Sequence, residues 1–462
     1  MSSMELKKKR IKINEYFSSF DLAKFTDSSM IELLLSHGAD PLCLNHENQS
    51  ILHIACVNNQ CSIVEKLIVL KTSSLLEIKD NHGRTPLSVT NNLDIMNLLL
   101  NAGADITSLD HNHMNVLMIA VSKCQISIVD YLLTVAGDQS VTLFDQVERK
   151  QQRSIFLLAV QTGSVELCSK LMTHPSVRCD SIDKQRMNAF HIAARQNHHL
   201  LLHYLCEEMV HFARFMTMTS RSYPVISKSN DNENNVDQCG SFRLRSAIDA
   251  PNEDGKTPLH FAAERGHTDS VQVLIKFGAD PFLPNSLGQI PLHLSIQNGH
   301  STSVELILNA CMKNRTDFQV ALSRRQSPLI TACQHGYVDI VDLLLSRAIG
   351  IDDIDPNNSL NHNKNPLTVA IHYRQTETVH ALIDDPHFEE WLVADRNVNE
   401  LVHQTPLRDM IRFLPSCAKH AFDKFIQRSN ENEHNHGTME RVINNYRFLD
   451  DYFLYVVLYC LT

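Results

Sequence analysis

Short apolar clusters separated by polar residues recur along the chain, and neighbouring clusters have the spacing of paired amphipathic helices. In residues 252–300, Leu259 and Ala262 begin one apolar face. The apolar residues of the second face lie at i, i+3 and i+4: Val271, Leu274 and Ile275. Gly266 and Gly278 follow the two clusters, where a left-handed residue commonly ends a helix. The pattern predicts two short helices that cannot bury their apolar faces alone and must stack on neighbouring pairs.

A four-residue motif marks the start of each predicted pair. Thr257-Pro258-Leu259-His260 recurs 33 residues later as Ile290-Pro291-Leu292-His293. A first-position Ser, Thr or Asn can cap a helix, and proline suits the first helical position because no amide donor is needed there. Variants of this motif begin at Ser50, Thr85, Asn115, Ser154, Asn188, Ser327 and Asn365. The repeated head resembles that of the ankyrin repeat. The resemblance implies an all-α solenoid of about ten irregular helix-pair repeats with a helical C-terminal cap.

The intervals between heads predict how the chain is divided. Met30–Asp40 is interpreted as the second helix and glycine cap of a degenerate opening repeat. The interval from Asn188 to Thr257 is long, and Thr219–Ser241 within it is rich in Ser, Asn and Asp, which favours a flexible insertion. The predicted segments are a basic N-terminal tail (1–26), a first repeat block (27–205), the insertion (206–248), a second block (249–384), the cap (385–428) and a tail (429–462).

The composition limits the class of binding partner and the state of the cysteines that we expect. Hydrophobic residues make up 43% and charged residues 20%, as in a soluble globular chain. The net charge of -10 argues against nucleic acid as the main partner, because phosphate contacts need clustered Lys and Arg. The twelve cysteines include no CxxC pair. We interpret four of them as buried thiols, with structural disulfides or a zinc knuckle as alternatives: Cys56, Cys168, Cys206 and Cys333.

The histidines and aspartates form no recognisable catalytic or metal-ligating motif. His199 and His203 have i, i+4 spacing but lack the H-E-x-x-H pattern, so we expect them, with His198, on a polar helix surface. Four histidines lie inside repeat heads and are expected to bond to the capping residue: His53, His191, His260 and His293. His111–His113 and Asp352–Asp355 are interpreted as loops. Without a nucleotide-binding, nucleophile-elbow or kinase motif, we predict no enzyme activity and no catalytic, cofactor or metal site.

No stretch predicts a membrane span. Tyr452–Leu461 is apolar but only ten residues long, well short of a spanning helix. The N-terminus is basic at Lys7–Arg10 but has no apolar core of a secretory signal. We interpret it as a solvated tail, with a localisation signal as the alternative.

Four segments follow one another in the C-terminal part: Ala370–Arg374, Asp385–Leu392, the Leu414-Pro415 break and Tyr446-Arg447-Phe448-Leu449. Their order resembles the end of the cytosolic ankyrin region of TRPA cation channels. The resemblance implies a region on the cytosolic side of the plasma membrane that couples stimuli to the pore of a tetrameric channel. The linker, pore and coiled coil of that family are missing. We therefore expect the complete gene to continue into a linker and six apolar segments, and this chain alone to conduct no ions.

A freestanding cytoplasmic scaffold or adaptor is the alternative, because an ankyrin stack needs no membrane part. Both interpretations predict protein partners on the concave face formed by loops and first helices. In the channel interpretation, the partners would include the chain's own channel subunits. An enzyme of unknown type is a distant third.

Overall fold

The computed structural model describes residues 40–69, 73–136, 140–174, 177–208, 246–314, 327–347, 349, 365–392 and 406–432. Several predictions of the sequence lie outside these residues: the basic tail, most of the opening repeat, the loop at 219–241, the aspartates at 352–355 and the motif at 446–449. The chain divides into two compact units, Met1–Glu207 and Glu208–Thr462.

The described part of the first unit contains five helix pairs, numbered here as repeats 1 to 5. Their bounds are Ile51–Val57 with Cys61–Val69, Pro86–Val89 with Leu93–Asn101, Val116–Ser122 with Ile126–Ala136, Ile155–Thr162 with Val165–Met172, and Ala189–Gln196 with residues 199–208. Two short helices, Ser73–Leu76 and Ser140–Asp145, lie between repeats. Each first helix packs on the first helix of the next repeat, so the apolar faces form a continuous core within the unit.

The second unit continues with repeats 6 to 10. Their bounds are Pro258–Arg265 with Thr268–Lys276, Pro291–Gln297 with Ser301–Cys311, Pro328–His335 with Val338–Ser346, Pro366–His372 with Thr376–Asp384, and Pro406–Phe413 with Pro415–Asn432. A 3-10 turn, Met312–Asn314, follows repeat 7, and a short helix, Phe388–Trp391, follows repeat 9. The two helices of repeat 10 pack on the first and second helices of repeat 9. The predicted C-terminal cap therefore contains a helix pair packed in the manner of a repeat.

The first helices begin where the repeat heads predict. In repeat 3 the Asn115 side chain accepts a hydrogen bond of 2.8 Å from the backbone amide of Met118. Side-chain caps of this kind are present at Ser50, Asn115, Ser154, Asn188 and Asn365. Among the described repeats, six first helices begin with proline: those that begin at Pro86, Pro258, Pro291, Pro328, Pro366 and Pro406. Both devices satisfy or remove the orphan amides of a helix start.

The predicted apolar positions form the core. Leu259, Ala262, Val271 and Leu274 are fully buried, whereas Ile275 is half-buried. The four cysteines interpreted as buried thiols are also buried and free: Cys56, Cys168, Cys206 and Cys333. Burial raises the pKa of all four, and those of Cys168 and Cys206 reach about 12. These thiols are therefore protonated at neutral pH and pack as small apolar groups.

The predicted insertion at 206–248 differs from the structure at both ends. Residues 206–208 continue the second helix of repeat 5, and Cys206 is fully buried there. At the other end, residues 246–248 form a helical turn with Ile248 fully buried. The apolar spacing of Leu201, Leu202, Leu205 and Cys206 extends the helix beyond the predicted boundary.

Within the described ranges, no helix has both the length and the apolar character required to cross a membrane.

Candidate functional site

In most first helices the exposed residues lie in the last turn and at the residue that follows. In repeat 9, Pro366 and Leu367 are buried in the first turn, whereas His372, Tyr373 and Arg374 are exposed at the end. Repeat 3 has the same arrangement, with Ser122 to Cys124 exposed. The other side chains of these helices are needed for the core, so the last turn supplies most of their exposed side chains. We call the row of these positions within each unit the first-helix face.

The turns that precede the heads form the second exposed surface, and in six of the described turns one Asn or Asp side chain organises the backbone. In repeat 6 the carbonyl oxygen of the Asn252 side chain accepts hydrogen bonds from the amides of Asp254, at 3.0 Å, and Lys256, at 2.8 Å. The same bonds to residues i+2 and i+4 form at Asn45, Asp80, Asp110, Asp183 and Asn285. Such side-chain bonds hold a turn without a regular strand.

Successive turn tips are joined by main-chain hydrogen bonds. In the first unit the amide of Asn81 donates to the carbonyl of Glu47 at 3.0 Å, and the amide of His111 donates to the carbonyl of His82 at 2.9 Å. In the second unit the amide of Ser286 donates to the carbonyl of Asp254 at 2.9 Å. These bonds fix the distance between neighbouring tips, whose side chains remain exposed.

Left-handed residues join the two helices of most repeats. Gly266 has φ 69°, and the His300 ring of the next repeat occupies the space beside it. The Nε2 atom of His300 lies 3.2 Å from the carbonyl oxygen of Glu264, so the ring bridges the two repeats. Non-glycine residues take the corresponding left-handed position in four other repeats: Asn59, Cys124, Asn197 and Arg374. This repeat-to-repeat contact sets the position of the last turn on the first-helix face.

Comparison with known proteins identifies this architecture. The family model for ankyrin repeats (3 copies) matches residues 20–110, 117–215, 230–317 and 309–391. The chain belongs to the ankyrin repeat family. The prediction of an all-α ankyrin fold is thereby confirmed. Ankyrin repeats are a protein-interaction scaffold rather than an enzyme family, and the chain contains an array of them.

The relatives of this ankyrin chain are diverse. It is 25% identical over 271 residues to the transient receptor potential cation channel subfamily A member 1 of Drosophila melanogaster, a match that covers 55% of this chain and 22% of the relative. It is 26% identical over 240 residues to inversin of Homo sapiens, a match that covers 49% of this chain and 21% of inversin. The crystal structure of the ankyrin repeat domain of Bcl-3 aligns with a TM-score of 0.42 and 20% identity, covering 57% of this chain and all of that one. The chain thus spans about a fifth of the length of these two curated relatives.

The candidate histidines have structural contacts. His198 precedes the second helix of repeat 5, and its Nε2 atom lies 3.1 Å from the carbonyl oxygen of Gln161 in the preceding repeat. His203 lies on that helix, 3.4 Å from the Glu207 carboxylate. His111 lies in a turn tip, as predicted for its loop. Among the described residues, no group of three His, Cys, Asp or Glu side chains could hold a metal ion.

The sequence analysis missed the turn-forming Asn and Asp residues. Asn45, Asp80, Asp110, Asp183, Asn252 and Asn285 each lie five residues before the first residue of a head. This constant offset is the signal that identifies them, since Asn and Asp commonly bond to the backbone of their own turn.

Proposed function

We propose that the first-helix face and the adjacent turn tips of this ankyrin array bind protein partners. The observation that carries the proposal is the row of main-chain bonds between tips, such as the one from His111 to His82. A surface with fixed spacing loses little conformational freedom on binding, which favours affinity. The exposed Tyr373, on the first-helix face, is of a residue type enriched at interaction hot spots.

Site-specific photocrosslinking tests this proposal. A photoreactive benzoylphenylalanine replaces Tyr373 on the first-helix face or His111 at a turn tip. Glu377, exposed on the second helix of repeat 9, provides the control position. We expect defined protein adducts in cells from positions 373 and 111, and much lower yields from position 377. Equal yields at the control position, or no adducts from either test position, would contradict the proposal.

A second proposal concerns the longer protein to which such an array belongs. The Drosophila channel match and the order of C-terminal segments from Ala370 to Leu449 support a TRPA-like channel region. In that case the array lies on the cytosolic side of the plasma membrane, within a tetramer, and couples stimuli to a pore outside this chain. The similarity to inversin supports the alternative of a freestanding cytoplasmic scaffold or adaptor.

Long-read transcript sequencing combined with membrane fractionation separates these alternatives. The channel proposal expects transcripts that encode six apolar segments after Thr462, and endogenous protein that remains in the membrane fraction after a carbonate wash. Transcripts that all end at Thr462, with protein in the soluble fraction, would support the adaptor instead. The photocrosslinking experiment remains informative in either case, because both alternatives use the same binding face.

A further inference from the structure

Two arginines share one exposed phenyl ring at the end of the first-helix face. The Phe413 ring is 40% exposed, at the last position of the first helix of repeat 10. The guanidinium carbon of Arg412 lies 5.1 Å from its centroid, and that of Arg374, from repeat 9, lies 5.9 Å from it. Both distances are within the range of cation–π attraction. The ring therefore helps to hold two guanidinium groups from adjacent repeats in one place.

The backbone beneath this cluster is well anchored. The first helix of repeat 10 is fixed by the buried side chains of Leu407 and Met410. Arg374 takes the left-handed position after the first helix of repeat 9, with φ 57°, and its amide donates to the carbonyl of Ile371 at 3.0 Å. Binding to such a site requires little ordering of the backbone.

The charge around the ring is predominantly positive. In the described part of the chain, no carboxylate oxygen lies within ion-pair distance of Arg374 or Arg412. The nearby carboxyl is that of Asp409, half-buried on the same helix. Burial raises the pKa of Asp409, and the charges of Arg412, Arg408 and His372 act in the opposite direction. Two guanidinium groups and the His372 ring thus act on this one carboxyl group, on a chain whose net charge is -10.

An aromatic surface extends from this cluster towards repeat 8. Tyr373 is 48% exposed, and its hydroxyl accepts a hydrogen bond of 3.1 Å from the Nε2 of Gln334. The His372 ring meets the Tyr373 ring edge-on, with centroids 5.4 Å apart. Tyr and Arg are enriched among the residues that dominate binding energy at protein interfaces. The surface therefore combines charge with apolar area over three consecutive repeats.

We infer that Arg374, Arg412, Phe413 and Tyr373 form a docking surface for an acidic segment of a protein partner. Carboxylates of the segment pair with the two guanidinium groups, whose planar donor geometry suits them, and an apolar side chain packs on the exposed rings. The inference rests on the proposed protein-binding function and specifies the chemistry of one partner. A peptide fits better than a nucleic acid because the chain is acidic overall and belongs to a protein-interaction family.

The test uses the full chain and fluorescence anisotropy. The probe is a fluorescein-labelled peptide of about twelve residues that alternates Glu with Gly and has a central Tyr. Its Gln counterpart serves as the neutral control. We expect the double variant Arg374→Glu, Arg412→Glu to weaken binding of the acidic probe by about tenfold or more. The matched control is Lys419→Glu, an exposed cation on the second helix of repeat 10 and outside the first-helix face, which should change affinity by less than about twofold.

A charge reversal distinguishes a binding defect from misfolding. The double variant should keep the wild-type thermal midpoint and should bind a lysine version of the probe more tightly than the wild type does. Equal binding of the acidic and Gln peptides, equal losses in the Lys419 control, or tighter binding of single-stranded RNA than of the acidic peptide would each overturn the inference. If crosslinks at position 373 persist while the acidic peptide fails, only the partner chemistry is wrong. If neither position 373 nor position 111 gives crosslinks, the proposed protein-binding function itself is wrong.

Discussion

The Nε2 atom of His260 lies 2.9 Å from the main-chain carbonyl oxygen of Gln289, one repeat further along the chain. The other ring nitrogen, Nδ1, accepts a hydrogen bond of 3.1 Å from the backbone amide of Thr257. His53 repeats both contacts, with Nε2 at 2.9 Å from the Arg84 carbonyl oxygen and Nδ1 accepting from Ser50 at 3.2 Å. A neutral imidazole with its proton on Nε2 satisfies both bonds, so each ring joins a helix cap to the next repeat.

Replacing His260 with leucine should lower the free energy of unfolding by about 1–3 kcal/mol, because a buried amide and a buried carbonyl each lose their partner. Urea unfolding measures the change. The control is His335→Leu at the exposed end of a first helix, where we expect a change below about 0.5 kcal/mol. Equal effects at the two positions would show that the bridge contributes nothing specific.

His53 should make the first unit less stable in acid. Burial lowers the pKa of His53, although its bond to the Arg84 carbonyl acts in the opposite direction. The unfolded state then binds the proton more readily, so stability is complete above the ordinary histidine pKa of about 6.5 and decreases as the pH falls below it. Urea unfolding at about pH 7.5 and about pH 5.5 should show a larger loss for the wild type than for His53→Gln. The same loss in both proteins would assign the pH dependence to other groups.

The core positions of the repeat heads should tolerate truncation poorly. Leu259 and Leu292 are both fully buried, so replacing either with alanine should cost about 2–5 kcal/mol through lost apolar contact and a residual cavity. Leu287→Ala is the control, because that side chain is 60% exposed, and its cost should remain below about 0.5 kcal/mol. Thermal unfolding compares the three variants. Unchanged midpoints for the two buried positions would contradict the predicted register.

Alanine substitutions at two glycines distinguish the cost of backbone strain from the cost of steric crowding. Gly266 and Gly103 have φ of 69° and 93°, so alanine at either position is strained by about 1–2 kcal/mol. A Cβ at position 266 would lie 2.5 Å from Nδ1 of His300, whereas at position 103 it would meet no atom within 4 Å. Gly266→Ala should therefore be the more destabilising change in urea unfolding, and should weaken the His300 bridge. Equal costs would mean that the His300 ring moves aside freely.

The repeats were predictable because their signals are local. A capping residue, a proline and two apolar clusters lie within one repeat, so Thr257 to Gly278 specify the helix pair without knowledge of its neighbours. The left-handed conformation of Cys124 was not predictable in this way, since that conformation is uncommon for cysteine.

The contacts between repeats were harder to predict from the sequence. Arg374 and Phe413 are 39 positions apart, and which exposed side chains meet depends on how repeats 9 and 10 pack. The bonds between turn tips join main-chain atoms, which every residue except proline offers alike, so their partners carry no sequence signature. The offset of Asn252 from its head was visible, but it becomes informative only once the turn geometry is known.

At the turn tips, main-chain atoms fix the spacing between repeats, whereas the side chains are free to vary. Because the amide of His111 and the carbonyl of His82 belong to the main chain, mutations that exchange these exposed side chains leave the hydrogen-bonding atoms in place. Most residues could therefore replace them without altering the spacing between tips, provided that the amide is kept. Substitutions at the tips, whether natural or engineered, could thus change the binding specificity of this surface. The main-chain scaffold that holds the tips would stay the same.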